Sequence, residues 1–64
     1  MTLKELLDLY SNWNTNLVIN DRELNLYARV DLRRMDDRNY ANVLKAKVMA
    51  FAFYDGELCV RVDY

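Results

Sequence analysis

Lys47-Val-Met-Ala-Phe-Ala-Phe-Tyr-Asp-Gly-Glu-Leu-Cys-Val-Arg-Val-Asp-Tyr64 is two β-prone runs around a central Asp55-Gly56. Asp-Gly supplies the two positive-φ positions of a type I′ turn, so the stretch reads as one hairpin of fixed register. Tyr54 then faces Glu57, and counting back pairs Phe53 with Leu58, Phe51 with Val60 and Met49 with Val62 on one face. This face is expected to be the core. The other carries Val48, Ala50, Ala52 and Tyr54 against Asp63, Arg61, Cys59 and Glu57, a surface less polar than a solvent-facing sheet. Small side chains at Val48, Ala50, Ala52 and Cys59 suit close approach of a second copy, and a homodimer through them is expected.

Working back from the hairpin, Thr2 and Glu5 form a capping-box pattern, and Leu3, Leu6, Leu7 and Tyr10 follow at the spacing of one helical stripe. Ser11 to Asn16 favours a turn, with Trp13 inside it. Leu17–Ile19 and Leu24–Val30 read as strands joined by a polar turn. Leu24, Leu26, Ala28 and Val30 share one side of the second, and Asn25, Tyr27 and Arg29 the other. Residues 31–38 are charged and poor in strand formers, and read as a connection. A second helix is expected from Asp36 or Asp37, either of which can serve as its N-cap, to about Lys45. The elements run α-β-β-α-β-β over one domain, 1–64, with no proline and one glycine to interrupt them. The expected architecture is α+β: a small two-layer domain with a mainly antiparallel four-stranded sheet and the helices on one face. The expected core is Leu6, Leu7, Tyr10, Ile19, Leu26, Phe51, Phe53, Leu58 and Val60, and Phe51→Ala is expected to cost about 3 to 5 kcal/mol.

Sixty-four residues give a marginal core, and the chain has one cysteine and no histidine to reinforce it with a disulfide or a metal. Self-association is the remaining route. The same shortage excludes nucleophilic triads and most metal sites, so neither enzymatic activity nor a cofactor is expected. Asp31, Asp36 and Asp37 sit among Arg33, Arg34 and Arg38 and read as caps and ion pairs. A net charge of −1 selects neither nucleic acid nor an anionic membrane. The first residues resemble no signal peptide or spanning helix, and an unpaired Cys59 fits a reducing cytosol. Cys59 reads as a small packing residue. Trp13 is either a plug of the core or an exposed anchor. Arg29, Arg33, Arg34 and Arg38, interleaved with tyrosines, are the residues a nucleic-acid surface would use; the acidic residues in the same run make this the lesser reading.

Met1-Thr-Leu-Lys-Glu-Leu-Leu at the start and Val48-Met-Ala-Phe-Ala-Phe-Tyr-Asp-Gly-Glu-Leu-Cys-Val-Arg-Val62 at the end resemble small α+β proteins carried by Gram-positive bacteria, their prophages and conjugative elements. The resemblance covers nearly the whole chain and transfers no site residues. It implies a bacterial cytosol and a mobile-element setting in which tiny proteins inhibit host defence proteins by binding them, as anti-CRISPR proteins do. The expected function is therefore non-enzymatic docking to a host protein, with Tyr27, Tyr54 and Trp13 as anchors. The alternative is a nucleic-acid-binding accessory protein.

Overall fold

In the computed structural model, which describes residues 1–64, the chain forms α1 (Leu3–Leu9), β1 (Asn16–Asn20), β2 (Leu26–Asp31), a 3-10 turn at Leu32–Arg34, α2 (Ala41–Leu44), β3 (Lys47–Tyr54) and β4 (Glu57–Asp63). The capping box starts α1: the Glu5 amide donates to Thr2 Oγ1 at 3.2 Å, and the Thr2 amide donates to Glu5 Oε1 at 2.9 Å. Leu3, Leu6 and Leu7 bury the predicted stripe. Its last turn is tied down by a hydrogen bond between the Tyr10 hydroxyl and Thr15 Oγ1 at 3.0 Å.

The four strands lie in the order β2-β1-β4-β3. Each hairpin is antiparallel, and the two join through a parallel pairing of β1 with β4, in which Leu17 faces Leu58 and Ile19 faces Val60. The domain is α+β as expected, with a sheet that is mixed rather than purely antiparallel. Because β1 and β4 fill the centre, residues 32–46 must carry the chain from one sheet edge to the other. Leu32, Val43, Leu44 and Ala46 are buried along that crossing, and together with α1 they cover Leu17, Ile19, Leu58, Val60 and Val62.

Asp55 and Gly56 take φ of 54° and 77°, the type I′ geometry that their sequence predicts. Tyr54–Glu57, Phe53–Leu58, Ala52–Cys59, Phe51–Val60 and Ala50–Arg61 pair as expected. Beyond them a β-bulge leaves Met49 unpaired, so Val48 rather than Met49 faces Val62, and Lys47 faces Asp63. The extra residue reverses the alternation: Val48 turns to the helix side and packs partly against the core. A second bulge leaves Tyr27 unpaired between Leu26 and Ala28. Leu26, expected in the core, is 60% exposed.

Other expectations are corrected as well. Phe51 and Phe53 face the helix side beside Val60 and Leu58, yet are 54% and 59% exposed. They sit on the outermost strand, beyond the reach of two short helices. Tyr10 is only half-buried, in ring contact with Phe53 at 5.5 Å. Neither Asp36 nor Asp37 caps α2, whose N-cap is Tyr40 without a side-chain bond; Asp36 instead accepts from the Arg38 amide in the preceding turn. The connection at 31–38 also contributes Leu32 to the core.

Two stability measurements follow from this packing. Leu58→Ala removes a side chain that is 1% exposed and should cost about 2 to 5 kcal/mol in urea unfolding. Measured at a concentration where the chain is monomeric, Phe51→Ala should cost no more than about 1 kcal/mol; a loss there equal to that of Leu58→Ala would place Phe51 inside. On acidification, the bond from the Thr2 amide to Glu5 holds that carboxyl below its usual 4.5, and hydrogen bonding from Arg33 holds Asp31 below its usual 3.8. A depressed folded-state pKa contributes stability above the unfolded value, which disappears as pH falls through the folded one. Stability should therefore decline below about pH 4.5, and Glu5→Ala should reduce that dependence. A midpoint independent of pH down to 3 would contradict the assignment.

Candidate protein-docking surface

β3 is one of the two outer strands of the sheet, and every residue from Met49 to Tyr54 is exposed. Met49, Phe51, Phe53 and Tyr54 are between 51% and 76% exposed. No charged residue lies between Lys47 and Asp55. Edge strands are ordinarily blunted by charge, proline, bulges or a covering segment. Here the protection is confined to the first residues. The Val48 amide donates to the Met1 carbonyl at 2.8 Å, the Leu3 amide donates to the Ala46 carbonyl at 2.9 Å, and Thr2 bridges Lys47. Past the Met49 bulge, the edge from Ala50 to Tyr54 has no neighbour.

On the sheet face away from the helices, Ala50, Ala52 and Cys59 come together as expected and Val48 does not, because of the bulge. Leu24 completes a shallow groove of about 300 Å3 with them, alongside Asn20 and Arg61. Nothing in the alternation predicts Leu24 here. Its position follows from the turn at 21–25, where Asp21 Oδ1 accepts the amides of Glu23 and Asn25 at 2.9 and 3.0 Å and Leu24 takes φ of 67°. Arg61 fastens this turn over the sheet by donating from Nε to the Arg22 carbonyl at 3.1 Å, and Arg22 pairs with Asp63 at 3.1 Å.

The three predicted anchors do not converge. Tyr54 lies at the hairpin end of β3. Tyr27 lies on the opposite outer strand, its ring edge-on to Tyr64 at 5.2 Å, and withdrawal from water beside Tyr64 raises its phenol above the usual value. Strand spacing separates these two tyrosines by roughly 20 Å. Trp13 is half exposed on the helix side, where it lines a small cleft of about 80 Å3 with Leu7, Leu32 and Met35. It is part plug and part surface.

The arginines are also dispersed, and most are engaged. Arg33 pairs with Asp31 at 2.9 Å, Arg29 with Glu57 at 3.6 Å and Arg38 with Asp36 at 3.4 Å. Three of the four residues proposed for nucleic acid thus carry a carboxylate beside the guanidinium, which weakens the field that they present to a phosphate backbone. Arg34 forms no ion pair.

The residues missed in sequence are Phe51, Phe53 and Met49, whose apolar character fits a core strand as well as an exposed one. Their exposure depends on strand order, which local pattern does not encode. No helix is long and apolar enough to cross a membrane. Comparison with protein-family models, with curated proteins and with solved structures gave no match.

Proposed function

We propose that this chain is a non-catalytic protein-binding module that docks through β3 and the open sheet face beside it. Its partner on this reading is a host defence protein in the bacterial cytosol, held one to one in the manner of an anti-CRISPR protein. The observation that carries the docking reading is β3 itself, an eight-residue outer strand whose Met49–Tyr54 segment is exposed and uncharged. Leaving that much apolar surface in water favours burial against another protein, since the largest patches on monomers are often functional. Tyr54 is the natural anchor, because tyrosine combines a large apolar ring with a hydroxyl able to bond at the rim. The choice of a defence protein rests on the resemblance to small mobile-element proteins.

Phage challenge of a strain carrying the relevant defence system tests the reading. The chain should protect phage at about one copy per target, and protection should be lost in Tyr54→Ala and in Ala52→Arg protein whose far-UV circular dichroism is unchanged. Binding should persist as salt is raised from low to moderate concentration, because apolar contact releases few counterions. Complete inactivation by substoichiometric protein would instead indicate turnover. Binding that vanishes on nuclease treatment would indicate a nucleic-acid protein.

A further inference from the structure

We infer that the free edge of β3 pairs with the β3 of a second copy, antiparallel and centred on Ala52, to give an eight-stranded sheet. This rests on the reading of β3 as a contact strand and names one occupant of it. The register follows from hydrogen bonding. A two-residue hairpin closes on a bonded pair, here Tyr54–Glu57, so Ala52 and Ala50 also bond inward to β4 while the N–H and C=O groups of Phe51 and Phe53 point to the free edge. The direction of the Val48 amide agrees: the Met49 bulge inverts the alternation, and that amide points outward to Met1.

The N-terminal segment occupies the edge at Lys47 and Val48, and the turn at Asp55 ends it, which leaves a window from Ala50 to Tyr54. Only a twofold through Ala52 maps that window onto itself. In that register Phe51 bonds Phe53 of the second copy and Phe53 bonds its Phe51, which uses all four free groups of each strand. Ala52 meets Ala52 at the closely spaced non-bonded position, where a small side chain fits.

Side chains and charges agree with this arrangement. A twofold perpendicular to the sheet keeps both helix layers on one side, so Phe51 and Phe53 of the two copies cover each other next to Tyr10. At roughly 150–250 Å2 for a whole aromatic side chain, the exposed parts of Met49, Phe51, Phe53 and Tyr54 amount to roughly 400–500 Å2 per copy. That surface, if covered, supplies about half of the roughly 800 Å2 per partner of a stable interface. The free segment Ala50–Tyr54 is preceded by Lys45 and Lys47 and followed by Asp55 and by Glu57, whose carboxylate Arg29 already shares. Antiparallel pairing brings the basic end of each copy to the acidic end of the other, whereas parallel pairing would oppose like charges.

Light scattering at increasing concentration should report twice the 7.7 kDa chain mass. Phe51→Pro deletes an outward amide at an edge position where proline is tolerated, and should give a monomer with unchanged circular dichroism. A disulfide scan does not depend on how that variant folds. With Cys59→Ser in the background, Ala52→Cys should oxidise to a covalent dimer, since facing residues at a non-bonded position lie about 4.5 Å apart. Ala50→Cys should not, its copies being roughly 13 Å apart along the strands. Cross-linking at Ala50 in preference to Ala52 overturns the register, and a monomer at millimolar concentration overturns self-pairing. A monomer that still loses host-partner binding on Tyr54→Ala overturns self-pairing alone and identifies a foreign protein as the occupant. A dimer whose host-partner binding ignores both Tyr54→Ala and Ala52→Arg supports self-pairing and overturns the docking reading.

Discussion

The parallel ladder between β1 and β4 is the contact on which the rest of this small domain depends. Each hairpin is local and would be marginal alone, because two strands cannot bury an apolar face. Joining them puts Leu17 against Leu58 and Ile19 against Val60, and these four, each no more than 1% exposed, form the floor on which α1 and the 32–46 crossing rest. The ladder also assigns the remaining strands their places. With β1 and β4 in the centre, β2 and β3 must be edges, and the more apolar of the two hairpins ends with its most aromatic strand outside.

That outcome reconciles a sequence rich in hydrophobic residues with a core of modest size. Fourteen buried apolar residues make the interior, yet 53% of the chain is hydrophobic, and much of the surplus lies on β3. Local devices restrain the hazard that an apolar edge creates. Met1 and Thr2 cover the start of β3 and the Met49 bulge follows at once; on the other edge, a bulge at Tyr27 breaks β2. From Ala50 to Tyr54 no such device is present, and there the edge remains competent to pair.

Local chemistry was legible in the sequence wherever it is carried by adjacent residues. Thr2 with Glu5, the Leu3, Leu6 and Leu7 stripe, the Asp55-Gly56 turn and five of the hairpin pairs all follow from short-range rules. So does the grouping of Ala50, Ala52 and Cys59. The two bulges were not legible, since neither Tyr27 nor Met49 is a glycine and neither breaks the composition of its strand; that is why Leu26 and Val48 lie on unexpected faces. Nor was the parallel pairing, which depends on residues some forty positions apart and on the crossing that residues 32–46 make. Phe51 and Phe53 were assigned the correct direction but not the correct depth, for whether a helix reaches over a strand depends on helix length and strand order together. The residues expected as anchors, Tyr27, Tyr54 and Trp13, share composition rather than location, and only Tyr54 belongs to the β3 surface.

Amide hydrogen exchange along β3, followed by NMR, tests the free-edge account most directly. Ala50, Ala52 and Tyr54 donate inward to β4 and should be protected at every concentration. Phe51 and Phe53 should exchange rapidly in dilute solution and become protected as the chain associates. Uniform protection along the strand at the lowest concentration, or rapid exchange at Phe51 and Phe53 in the associated protein, would contradict the account.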